Sequence, residues 1–87
     1  MKRLIDPDNP TRTYLVLHET PTMLIALYES QNEVYRWKLW SGTWLVTVRR
    51  VVLNRRDGRT VTSHWCAISS TVYPRPTAIV GEESHDT

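Results

Sequence analysis

Between Tyr35 and Leu53 the chain alternates apolar and polar residues, and only an extended strand sorts a period of two onto separate faces. Tyr35, Trp37 and Leu39 alternate with Arg36 and Lys38. This predicts a half-buried strand with a basic outer face and with Trp37 pointing inward. Ser41-Gly42 is a short turn signal between Trp40 and Trp44. The next strand is expected from Thr43 to about Leu53. Trp44, Val46, Val48, Arg50 and Val52 share one of its faces, and Leu45, Thr47, Arg49, Val51 and Leu53 the other. Asp57-Gly58 closes the following turn, where glycine accepts a positive φ. Arg59 to about Ser69 reads as one return strand.

Elsewhere the pattern is coarser. Asp6-Pro7-Asp8-Asn9-Pro10 is a turn cluster, so residues 1–12 are expected to form an irregular arm. Thr13–His18 and Met23–Tyr28 are apolar, β-prone runs separated by Glu19-Thr20-Pro21-Thr22. Tyr73-Pro74-Arg75-Pro76 forces an extended path, and Thr77 to Val80 fits a short edge strand. Residues 81–87 are polar and acidic, a flexible tail in this reading. The expectation is a single domain, 1–87, with its β core at 13–80. Five strands with short links suggest an all-β fold: a small five-stranded barrel or rolled antiparallel sheet, SH3-like or OB-like. The alternative is α+β. Thr20 would be the N-cap, Pro21 the first helical residue and Gly42 the stop, placing one helix at about 21–40 on an antiparallel sheet.

A chain of 87 residues has a small core, and its single cysteine, Cys66, allows no intrachain disulfide. Four tryptophans and four tyrosines, with no phenylalanine, supply large burial per residue. Cys66 is expected to pack in the core as a small apolar residue, with His64 beside it. An unpaired thiol fits a reducing compartment. Met1-Lys2-Arg3 is followed by only Leu4 and Ile5 before Asp6, too little for a signal-peptide core. The expectation is a soluble cytoplasmic protein with no membrane association.

Charge is segregated. Residues 34–75 carry eight basic side chains against Asp57 alone, a net +7, although the whole chain is only +2. Five of these cations, Arg49, Arg50, Arg55, Arg56 and Arg59, fall on one predicted hairpin. Arginine forms planar paired hydrogen bonds to carboxylates and phosphates and stacks on aromatic rings. Arg36 and Lys38 extend the patch to a neighbouring strand, and Trp40 and Trp44 flank a turn at its rim. These nine residues are the candidate partner-binding set. Their charges would also discourage edge-to-edge association of strands.

Other chemistry is thin. His18, His64, His85 and Cys66 lack the two close ligand pairs of a structural zinc site, so no metal is assigned. Ser63 and His64 are adjacent, and on a strand they diverge to opposite faces, which opposes a nucleophile–base pair. No cofactor motif is present, and the chain is read as a non-enzyme. The favoured function is a non-catalytic protein-binding module, a small inhibitor, adaptor or assembly subunit, using the arginine-rich hairpin on an acidic partner surface. The alternative is a small nucleic-acid-binding β-barrel with phosphate contacts from the same arginines. Oligomeric state is left open, with a homodimer among the arrangements allowed.

Overall fold

The computed structural model of the chain describes residues 2–54, 59–62 and 64–78; at 52–54, 59–62 and 78 the description is of the backbone alone. The strands are β1 (Arg3–Asp6), β2 (Asn9–Thr20), β3 (Met23–Tyr28), β4 (Glu33–Trp40), β5 (Thr43–Asn54), β6 (Arg59–Thr62), β7 (Cys66–Ile68) and β8 (Thr77–Ala78). They form an antiparallel sheet in the order β6-β5-β4-β3-β2-β1-β8, with β7 also paired to β5. The sheet is open, since β6 and β8 at its two ends do not pair with each other among the described residues. The fold is therefore all-β. Among the described residues there are eight strands, and they do not close into a barrel, one of the two forms expected for five strands.

Two further expectations are corrected. No helix occupies 21–40: Pro21-Thr22 is a turn, and β3 and β4 are joined by a single 3-10 turn at Glu29–Gln31. Asn32 ends that turn at φ +52°, a left-handed conformation that asparagine tolerates and that no α-helix continues through. Where an irregular arm was expected at 1–12, residues 3–6 form β1 and 9–12 begin β2. Asp6-Pro7-Asp8-Asn9 is indeed a turn, but it joins β1 to β2 as a hairpin. The buried Asp6 carboxylate accepts the Asp8 N–H at 2.8 Å, which fixes that turn locally.

Alternation then builds the core. One face collects Leu4 from β1, Tyr14 from β2, Leu24 and Ala26 from β3, Tyr35 and Trp37 from β4 and Val46 from β5, all buried. Cross-strand register aligns them: Leu4 faces Tyr14, Leu24 faces Trp37, Ala26 faces Tyr35, and Trp37 faces Val46. Trp37 points inward as its alternation requires, with 0% exposure. Tyr14 meets Trp37 edge-on at 5.2 Å, and Tyr35 stacks on Trp37 at 5.6 Å. Each such pair contributes about 0.5–1.5 kcal/mol beyond its buried area. Among the described residues no second sheet covers this face. Residues 69–76 cross it instead, from β7 beside β5 to β8 beside β1. The Trp37 Nε1–H donates to the Tyr73 carbonyl at 2.9 Å, and Pro76 is buried.

Arg12 lies at one end of this inner face. Its guanidinium carbon is 3.9 Å from the ring centre of Tyr28, 4.9 Å from Tyr73, 5.1 Å from Tyr35 and 5.3 Å from Tyr14. Its Nε–H donates to the Tyr14 hydroxyl and its Nη2–H to the Tyr35 hydroxyl, which in turn donates to Glu33 at 3.0 Å. Burial disfavours the Arg12 charge, but the hydrogen bond to Tyr14 and the neighbouring phenols outweigh it and hold its pKa above the ordinary value.

The β4–β5 turn is sharply determined. Ser41 and Gly42 both have positive φ, +49° and +78°, and Trp40 pairs with Thr43 across them. This is a two-residue turn of type I′, whose twist matches that of the strands. A Cβ on Gly42 would meet nothing within 4 Å, so substitution there is penalised by the backbone alone. Gly42→Val should destabilise by about 1–2 kcal/mol, and Ser41→Asn should stabilise by a few tenths, because asparagine suits the first turn position. Urea-unfolding midpoints of the two variants, moving in opposite directions, would confirm this turn.

The tyrosines make a pH prediction. Burial pushes the hydroxyls of Tyr14 and Tyr35 above the ordinary tyrosine range, the nearby Arg12 charge opposing it in part. A folded pKa above the unfolded value of about 10 means that each neutral phenol contributes stability fully present below that value. This contribution is lost as pH rises through the folded values. Ultraviolet absorbance titration should show late tyrosinate formation coincident with alkaline unfolding. Tyr35→Phe should remove one late-ionising group; complete ionisation in a folded protein near the ordinary value would contradict this burial.

Candidate functional site

The outer face of β4 and β5 gathers part of the predicted partner-binding set. Strand parity places Arg36, Lys38 and Trp40 opposite the buried Tyr35 and Trp37. Register brings Arg36 against Thr47, Lys38 against Leu45 and Trp40 against Thr43. Arg36, Lys38, Leu39, Trp40, Leu45 and Thr47 line a shallow, mainly apolar groove of about 200 Å³. Trp40 is 71% exposed and Leu45 51% exposed, both unusual for large apolar side chains. The Thr47 hydroxyl is buried in this region with no hydrogen-bond partner among the described residues.

Trp65 closes one end of the patch. Its ring lies 4.3 Å from the guanidinium carbon of Arg36 and 5.1 Å from that of Arg49, so two cations from neighbouring strands share one indole. The local cause is β7, which pairs Ala67 with Thr47 and so brings the residue two positions earlier alongside Arg49. Each arginine gains roughly 0.5–1 kcal/mol from such a contact at an exposed site.

Two predicted residues that the structure describes, Arg50 and Trp44, do not join this patch. Arg50 falls on the other face by alternation and lies 3.7 Å from Glu33 across β4. Trp44 also turns to the inner face, against the core and beneath the guanidinium of Arg75 at 5.0 Å. Trp40 and Trp44 are thus on opposite faces, because Trp44 pairs with Leu39 and Trp40 with Thr43. Arg59 begins β6 opposite Asn54, with its side chain outside the description. Arg55, Arg56, Asp57-Gly58 and the tail at 81–87 lie outside the described residues. Sequence reasoning missed Leu45 and Thr47 as groove residues, although their parity with Arg49 was readable. Neither Trp65 nor Arg12 is in the nine-residue partner-binding set, since their neighbours come from register.

Cys66 is exposed, contrary to its expected core position. It opens β7, a three-residue strand that borders β5 and has no further strand beyond it among the described residues. Its thiol donates weakly to the His64 carbonyl at 3.5 Å, and His64 is exposed too. No group of three or more histidine, cysteine or acidic side chains among the described residues is placed to hold a metal ion. No helix among them is long and apolar enough to cross a membrane. Compared with protein-family models, curated proteins and solved structures, the chain matches none.

Exposure of Cys66 predicts rapid reaction with a thiol reagent in the native protein, at a rate close to that of the unfolded chain. Cys66→Ser should leave stability within about 0.5 kcal/mol. Labelling that waits for unfolding would restore a packing role for the thiol.

Proposed function

We propose that the chain is a non-catalytic protein-binding module, an inhibitor, adaptor or assembly subunit, that engages an acidic partner surface. The binding face in this reading is the outer side of β4 and β5, centred on Arg36, Lys38, Trp40, Leu45 and Arg49, in place of the hairpin alone. The observation that carries the proposal is an exposed apolar groove rimmed by cations. Tryptophan and arginine are the residues that most often dominate interface energetics, especially at desolvated contacts. An apolar side chain of the partner fits the groove while flanking carboxylates meet Arg36 and Lys38. The outer face also continues across half-buried Ile25, Leu27 and Val34, with no layer of this chain over it among the described residues. A sheet normally buries its apolar faces against another layer, so an external partner fits this surface.

One observation favours nucleic acid as a second reading. Trp40, highly exposed beside Lys38, offers a ring on which a base can stack next to a phosphate contact. The segregated charge fits either anion. The low total charge of +2 favours the protein partner.

The two readings separate in one titration series. A capped acidic peptide with a central leucine and a single-stranded oligothymidine are titrated at two salt concentrations, with tryptophan fluorescence as the signal. The proposal expects tighter peptide binding. Replacing both Arg36 and Lys38 by glutamate should weaken it at least about tenfold while circular dichroism stays unchanged. Exclusive oligonucleotide binding with a steep salt dependence would transfer the function to nucleic acid. Peptide binding that ignores the charge reversal would remove this face from the account.

A further inference from the structure

The inner face carries a cation, Arg12, that the outer-face reading does not use. We propose that Arg12 and the tyrosines around it form a binding site for a carboxylate ligand.

The first support is the donor count. A guanidinium has five N–H donors, and Arg12 uses its Nε–H on Tyr14 and one Nη2–H on Tyr35. Among the described residues the others have no acceptor. The Arg12 side chain is half-buried, not fully enclosed. The donors left over are on Nη1 and Nη2, a pair that can hold a carboxylate through two parallel hydrogen bonds.

The second support is charge. Lys2, Arg3 and Arg75 each lie within 3.2 Å of a glutamate oxygen. Arg12 has no carboxylate at ion-pair distance among the described residues, although it is more enclosed by aromatic rings. It reaches Glu33 only through the Tyr35 hydroxyl, and Glu33 is also shared with Arg50. A partly desolvated cation without a direct counter-ion strengthens any hydrogen bond made to an incoming anion.

The third support is shape. The rings of Tyr28 and Tyr73 lie 3.9 and 4.9 Å from the guanidinium carbon, so the cation sits among aromatic surfaces. A single positive charge in this setting matches a planar monoanion with an apolar body better than a phosphate dianion, which calls for more cations. A free small acid and the C-terminus of a peptide both present that group.

Arginine side-chain N–H resonances of the full chain provide the test, at constant ionic strength with chloride as the reference. Benzoate probes the small-acid source, an N-acetylated dipeptide with a free C-terminus probes the peptide source, and inorganic phosphate probes the competing anion. The expected result is a saturable shift of the Arg12 Nε–H resonance with benzoate or the dipeptide, and weaker binding of phosphate. Whichever carboxylate binds more tightly identifies the source. Arg12→Lys keeps the charge but removes the fork, and should weaken binding about tenfold. Should that variant fail to fold, the resonance assignment in the unmodified protein decides alone. Shifts that do not saturate, that centre on Arg36 or Arg49, or that are larger for phosphate would overturn the site. Undiminished binding to a folded Arg12→Lys protein would do the same.

Discussion

The hydrogen bond from the Trp37 indole to the Tyr73 carbonyl ties the sheet to the segment that covers it. Trp37 is fully buried, so its N–H requires a partner inside the protein. The neighbouring strands satisfy their own backbone groups through the ladder, and the acceptor comes from the 69–76 crossing. This contact helps fix where that segment lies. Tyr73 then reaches Tyr35 at 5.7 Å and walls the Arg12 site. Arg75 is placed over Trp44 and 3.0 Å from Glu19, while Pro76 is buried just before β8 pairs with β1. A sheet lacking a second sheet seals its core with a strap, and the two prolines in Tyr73-Pro74-Arg75-Pro76 favour the extended path such a strap needs.

What was legible in the sequence were features carried by one strand or one tight turn. The alternation of Tyr35, Trp37 and Leu39 with Arg36 and Lys38 set the two faces of β4. Ser41-Gly42 marked its hairpin with β5, and Tyr73–Pro76 marked a non-helical crossing. Features that depend on pairing were less visible. β1 is four residues long and follows no clear alternation, so its place beside β2 depends on the Asp6-centred turn and on Leu4 meeting Tyr14. The span from Arg59 to Ser69 read as one strand, but it supplies both β6 and β7 to different stretches of β5. That division exposes Cys66, which local hydrophobicity had placed in the core.

The candidate face shows the same limit. Parity alone separates Arg49 from Arg50 and Trp40 from Trp44, so pooling each pair in one binding surface overrode information already present in the period of two. Trp65 differs. Its contact with Arg36 and Arg49 depends on β7 aligning with β5, and nothing local to Ser63-His64-Trp65-Cys66 reveals that register. Arg12 was hidden by the proline-rich segment before it. Continuing the period of two backwards from Tyr14 would have placed it on the core face, but a charged residue there reads as exposed until four tyrosines are seen to surround it.

The two faces handle positive charge by different physics. On the outer face, Arg36 and Arg49 stack on one indole at a water-accessible surface, where attraction to a partner is long-ranged but screened by salt. On the inner face, Arg12 is held by ring quadrupoles and phenol oxygens. Lysine would not replace it well, because its ammonium is more strongly hydrated and lacks the planar fork that meets Tyr14 and Tyr35 together. Ligand binding at the outer face should therefore weaken steadily with ionic strength. Binding at Arg12 should depend more on the fit and planarity of the ligand, because its directional hydrogen bonds form beside low-dielectric rings where salt screens them less.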